Sequence, residues 1–150
     1  MTHMSREEIL AAVKNGANLN GADLYGADLY GAKDVPSSVA ASTMTPPETG
    51  AFQAWKSLRN NHVALLSIPE TAKRSSATSR KCRVSIAQVL TIFNAQGERV
   101  DGPVASRHDP SFTYTVGDTV SPTEPFEDDR WLECAPGIHC FLTRYEAENY

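Results

Sequence analysis

The run KRSSATSRKCR, residues 73–83, concentrates the side chains best suited to holding an anion. It places Lys73, Arg74, Arg80, Lys81 and Arg83 within eleven residues and contains no acid. Ser75, Ser76, Thr78 and Ser79 lie between them, small enough for backbone N–H groups to approach a ligand. Guanidinium forks and hydroxyls are the groups that grip phosphate oxygens. The run has no GxxxxGK[ST] cradle, so it is not a P-loop. Two readings follow. It is a phosphate site, or it is a basic loop that is either solvated or paired with the acidic segment EPFEDDRWLE, which carries Glu124, Glu127, Asp128, Asp129 and Glu133. Those acids lack the order of a calcium loop, so a latch onto the basic run is expected of them rather than a metal. Trp131 is expected to anchor the segment to the core.

His139 stands in GIHCFL, residues 137–142, where apolar neighbours alternate as in a strand. An imidazole there needs a partner, either a main-chain group in the core or a ligand. Cys134, His139 and Cys140 do not form a metal knuckle, and alternation sends His139 and Cys140 to opposite faces. In RHDPSF, His108 adjoins Asp109, but neighbours on an extended chain point apart, so an Asp-Pro turn is expected instead of a dyad. No G-x-S-x-G elbow or HExxH motif occurs, and no catalytic residue, metal or cofactor is assigned. Trp55, Tyr114 and Trp131 offer ring faces on which a base could stack.

The surroundings of these residues are those of a soluble chain. Of 150 residues, 41% are hydrophobic and 21% charged, and no apolar run approaches the ~20 residues of a membrane span. The N-terminus MTHMSREEIL is too polar for a secretory signal, and three cysteines make a poor disulfide framework. A cytoplasmic location with reduced thiols is therefore expected. The net charge of -4 is unevenly spread: -3 in residues 1–50, +6 in 51–100 and -7 in 101–150. A general nucleic-acid binder would carry an overall basic surplus, so a nucleic-acid polymer is not an expected partner.

Stepping along the chain, Ser5 and Glu8 form a capping box ahead of Ile9, Leu10 and Val13, and Gly16 can end that helix. Then Leu19, Leu24 and Leu29 recur every five residues, in a period that neither helix nor strand supplies. Residues 33–50, rich in Pro, Ser and Thr, read as a linker. Residues 51–150 read as one β-rich domain. AFQAWKSL, HVALLSI, CRVSIAQVLTIF, SFTYTVGDTV and GIHCFL supply the strands. CRVSIAQVLTIF is apolar on both faces and suits one strand buried on both sides, with a helix over SIAQVL as the alternative. Thr143 with Glu146 is expected to form a second capping box on a short last helix. The expected class is α+β: a mainly antiparallel sheet with short helices, preceded by a helix and one incomplete coil over residues 1–32.

The five-residue period resembles that of pentapeptide-repeat proteins, whose coils take four repeats; about three are present here. IPETAKRSSATSRKCRVSIAQVL, HDPSFTYTVGDTV and CAPGIHCFLTRYEAENY resemble an uncharacterised C-terminal domain of bacteriophage and bacterial proteins, often preceded by such repeats. The Cys-x-x-Gly-Ile-His-x-Phe stretch at 134–141 is its best motif. Cys140 is one departure, since the family more often carries an aromatic residue there. The resemblance implies phage origin and action inside the bacterial host. Together these readings give a small binding protein that captures an anionic small molecule, a nucleotide before others, and that would counter host defence by sequestering such a signal. The alternatives are a module that binds a host protein, and an enzyme working through His139 or His108. The exposed edge of the incomplete coil would pack on the β-domain or pair two copies of the chain.

Overall fold

The computed structural model describes residues 4–16, 19, 22–30, 32 and 35–150. Helix α1 (Arg6–Lys14) begins at Ser5, whose hydroxyl accepts from Glu8 N while the Glu8 carboxylate accepts from Ser5 N, so the expected capping box is formed. Gly16 follows with φ +69°, the left-handed conformation that lets the chain leave the helix.

The five-residue period is visible in the hydrogen bonds. Ala22, Ala27 and Ala32 donate to the carbonyls of Leu19, Leu24 and Leu29, and the carboxylates of Asp23 and Asp28 accept from Tyr25 N and Tyr30 N. The three leucines are buried, whereas Tyr25 and Tyr30 stand out in solvent. Ile9 of α1, these leucines and Val39 form one apolar cluster, and Arg6 closes it by donating to the carbonyls of Asp28 and Tyr30. Ala17 and Asn18 lie outside the described residues.

Within the segment expected as a linker, Ser37–Ser42 form helix α2, which buries Val39. The residues after it are held by hydrogen bonds: Thr45 N donates to Ser76, and the carbonyls of Pro47 and Gly50 accept from Arg74.

From residue 52 onward the chain is mainly antiparallel sheet. Strands β1 (Phe52–Ser57), β2 (Val63–Ile68), β5 (Ala87–Phe93) and β6 (Arg99–Val100) pair in that order, with β9 (Thr119–Val120) on the other end of β5. A second sheet has the order β10 (Ile138–Cys140), β4 (Cys82–Val84), β3 (Arg74–Ser76). Strands β7 (Val104–Ala105) and β8 (Thr113–Tyr114) form a hairpin pair. Helix α3 (Arg144–Glu148) follows, with Thr143 accepting from Glu146 N as its cap; the Glu146 carboxylate accepts from the Thr143 hydroxyl and Arg80, so the expected capping box is only half formed.

The stretch CRVSIAQVLTIF is therefore two strands in two sheets, not one. At Ser85 the chain still follows β3, exchanging hydrogen bonds with Lys73, before Ala87 joins the larger sheet beside Val120. Val84 and Val89 meet in the same core from the two sheets, which is why the stretch looked apolar on both faces. The edge strands β1 and β10 of the two sheets meet where Trp55 and Phe141 exchange main-chain hydrogen bonds of 2.7 Å. Among the described residues no helix is long and apolar enough to cross a membrane.

Candidate functional site

Beside that junction lies a cavity of about 290 Å³. Its wall combines Lys56 of β1, Tyr114 of β8, His139 of β10, the pair Arg107 and His108, and Tyr150. Each arrives by a different route through the fold. Lys56 is one position past Trp55, so the Trp55–Phe141 pairing fixes it against β10. Its ammonium donates to the His139 carbonyl at 2.9 Å and sits 5.8 Å from the Tyr114 ring centre.

His139 lies between Ile138 and Cys140, both turned into the core, and so faces the opposite way, as period-two alternation requires. Its Nε2 lies 2.8 Å from the Ala135 carbonyl, which makes Nε2 the protonated nitrogen and leaves Nδ1 as the acceptor. Burial, with Lys81, Lys56 and Arg83 nearby, pulls the imidazole down to about 4. The ring is neutral at physiological pH.

Lys56 is only 8% exposed, and burial lowers its amine to about 8. Among the described residues no carboxylate lies within ion-pair distance of it. Arg107, in contrast, is exposed, donates to Ser57 Oγ at 3.2 Å and stacks 5.8 Å from the Tyr150 ring. Two exposed carboxylates, Asp109 and Glu124, also line the cavity. The Asp109 carboxylate is engaged by Ser111 N and Ser111 Oγ, the Asp-Pro turn expected at this place. His108 meets the Tyr150 ring edge-on at 5.8 Å.

The basic run is placed elsewhere. Arg83 is 2% exposed and spends its guanidinium on the carbonyls of Glu127, Asp129 and Pro136 at 3.0–3.1 Å, with Ser75 Oγ at 3.3 Å. Arg74 caps the carbonyls of Gly50, Pro47, Ala72, Pro69 and Glu70. Lys73 pairs with Asp128 at 3.2 Å and Arg80 with Glu146 at 3.0 Å. Lys81 approaches Cys134 Sγ and Tyr150 Oη at 3.8 and 3.5 Å. Thr78 donates to the Ala27 carbonyl and its own carbonyl accepts from Gly26 N, docking the five-residue period onto the run. Within the run, Lys73 and Arg83 reach residues 127–136, Lys73 through the Asp128 carboxylate and Arg83 through main-chain carbonyls, whereas Arg74 and Arg80 are taken up by carbonyls of residues 47–72 and by Glu146.

Of the sequence candidates, the fold brings Tyr114, His108 and His139 together on one cavity wall. Trp55 packs beside Val63, Phe93 and Phe141, under the Arg144 guanidinium. Trp131 packs into the Ile9 cluster with the Arg130 guanidinium 4.5 Å above it, so it anchors the acidic segment to the N-terminal core. Sequence reasoning missed Lys56, Arg107 and Tyr150. For Lys56 a signal existed: it shares the phase of Phe52 and Ala54, where an apolar residue is expected. Among the described residues no group of three or more His, Cys, Asp or Glu is placed to hold a metal ion. All three cysteines are free; Cys82 and Cys140 face each other across β4 and β10, and burial raises both thiols, Cys140 to about 12.

No curated protein and no solved structure matches this chain. A family model matches residues 42–147, a span that holds every strand of both sheets and Lys56, Arg107, Tyr114 and His139 of the cavity: the chain belongs to the family of unknown function DUF5758.

Proposed function

We propose that this chain is a small phage-encoded binding protein that captures an anionic small molecule, a nucleotide before others, in the cavity between β1, β8 and β10. The observation that carries the reading is the convergence of Lys56 and Arg107 with His108, His139 and Tyr114 around one space of about 290 Å³. That volume is at the small end of ligand pockets, ~300–1,000 Å³, and suits a single mononucleotide. Arg107 supplies a permanent charge with donors in a fork, the geometry that phosphate oxygens match. The Lys56 ammonium has further N–H groups beyond the one given to His139. His139 Nδ1 accepts from a ligand hydroxyl or amine, and the rings of Phe112 and Tyr114, 5.2 Å apart, offer apolar surface to a base.

The basic run supports this reading only indirectly, by fixing the loop that carries Pro136 and Gly137 into the cavity wall. In this reading the five-residue period is an incomplete coil of the pentapeptide-repeat kind, and sequestering a nucleotide signal would counter host defence. Native mass spectrometry and thermal-shift measurements across a panel of mononucleotides test it. A co-purifying or stabilising nucleotide, lost in Arg107→Gln, is expected; no ligand and no shift from any member would overturn it.

A second reading rests on Tyr25 and Tyr30, 62% and 51% exposed and five residues apart. Two such rings on one edge favour a protein partner. A stoichiometric host protein retained by the chain, and released by Tyr25→Ser with Tyr30→Ser, would support it.

A further inference from the structure

Lys56 breaks the pattern of its strand. Phe52, Ala54 and Lys56 share a face of β1, and Ala54 is wholly buried in the main core. The next position in that phase holds an amine that is 8% exposed and lines the cavity. Its single hydrogen bond, to the His139 carbonyl, uses one of three N–H donors, and the Tyr114 ring at 5.8 Å is a weak counterweight. Among the described residues no carboxylate pairs with it; Lys81 is near enough to oppose its charge, while Cys140 acts the other way. A buried amine loses its proton readily, and a free amine on a cavity wall is a nucleophile. Burial brings it to about 8, so a useful fraction is unprotonated near neutral pH.

We propose that Lys56 captures the carbonyl carbon of the ligand as an imine, and that the cavity takes a small phosphorylated aldehyde or ketone. The proposal rests on the reading above that the cavity accepts an anion, and it names a phosphorylated carbonyl compound in place of a nucleotide as that anion. The neutral amine attacks the carbonyl carbon, forming the C–N bond while the C=O π pair moves to oxygen, which takes up one of the two N–H protons. The resulting carbinolamine loses its hydroxyl together with the second N–H proton as water, leaving C=N, which takes a proton from solvent to give the protonated imine. Water is the only other product, and no oxidant or reductant is needed. Arg107 meets the phosphate. The neutral His139 ring adds no charge against the protonated imine.

The test uses the full chain with glyceraldehyde 3-phosphate and cyanoborohydride, which reduces any imine to a stable amine, followed by peptide mapping. The sequence holds five lysines, so selectivity can be read directly. Labelling of Lys56 is expected to be roughly tenfold faster than of any other lysine. It should be roughly tenfold slower with unphosphorylated glyceraldehyde. In the wild-type chain its rate should rise through pH 8. Comparable labelling of all lysines, or a rate that rises only near the ordinary lysine value of 10.5, overturns the proposal. Lys56→Arg keeps the charge and should abolish the adduct; the pH profile needs no variant, so a folding failure there does not shelter the idea. Calorimetry with AMP separates the two readings. AMP binding without Lys56 labelling overturns the imine and leaves anion binding standing, and neither result overturns both. Labelling without AMP binding supports the imine and removes nucleotides from the ligand class.

Discussion

The ammonium of Lys56 donates to the main-chain oxygen of His139 at 2.9 Å, tying the edge strand of the larger sheet to the edge strand of the smaller one. The same two residues line the cavity, and their contact lies beside the Trp55–Phe141 main-chain pair that joins the two strands.

Charge in the cavity, not charge in the basic run, should govern ligand capture. Arg107→Gln is expected to weaken mononucleotide binding by about tenfold or more, equivalent to ~1.4 kcal/mol. Arg80→Gln and Lys73→Gln, which break exposed pairs with Glu146 and Asp128, should change it less than about twofold. Isothermal titration on the three variants decides this. A larger loss for Arg80→Gln than for Arg107→Gln would return the site to residues 73–83.

Arg83 should be among the most costly residues to remove. Its guanidinium satisfies three carbonyls of residues 127–136 and lies 5.0 Å from the Phe126 ring. Arg83→Ala leaves those carbonyls without their donor at a buried place, and a loss of ~3–5 kcal/mol is expected. Lys cannot reproduce the fork, so Arg83→Lys should recover only part. Urea unfolding gives the energies, and new protease cleavage within residues 124–136 would locate the damage. A loss below ~1 kcal/mol would show that the loop is held by other contacts.

Acid should destabilise the fold in a window assignable to His139. Its imidazole is held at about 4 in the folded chain against 6.5 when free. The unfolded chain therefore binds the extra proton as pH falls from 6.5 to 4, and stability is lost over that interval, roughly 3 kcal/mol in total. Glu146, lowered chiefly by its hydrogen bond to Arg80, adds its own loss only below its ordinary value of 4.5. Asp109, lowered by Ser111, does so below 3.8. His139→Gln keeps an N–H for the Ala135 carbonyl and should flatten the slope between pH 6.5 and 4.5. An unchanged slope in that variant would assign it to another group.

Gly102 carries φ +94°, and a Cβ built there would lie 2.6 Å from the Tyr114 carbonyl oxygen. Gly102→Ala therefore meets both backbone strain and a main-chain clash, and must displace β8, which carries Tyr114 in the cavity wall. Gly97→Ala, at φ +81° with nothing within 4 Å, meets strain alone. The expected losses are ~3 kcal/mol and ~1 kcal/mol respectively. Thermal melts of the two variants, with nucleotide binding on each, should show the cavity impaired only in the first.

Local order was legible in the residues themselves. Ser5 with Glu8, Thr143 with Glu146, Gly16 and the Asp109 turn are settled within a few positions, because caps and turns use groups adjacent in the chain. Alternation in GIHCFL announced that His139 and Cys140 diverge. The split of CRVSIAQVLTIF was not legible, since Val84 and Val89 are equally apolar whether one sheet or two buries them.

What only the tertiary structure decided was the destination of each charge. The sequence by itself determined that residues 73–83 are basic and 124–133 acidic, and that each needs a partner. A guanidinium serves a phosphate and a row of backbone carbonyls with the same donors, so residue type alone could not choose between them. The fold chose the carbonyls for Arg83 and Arg74, and placed Lys56 of β1 and Arg107, which follows β7 and donates to Ser57, on one cavity wall.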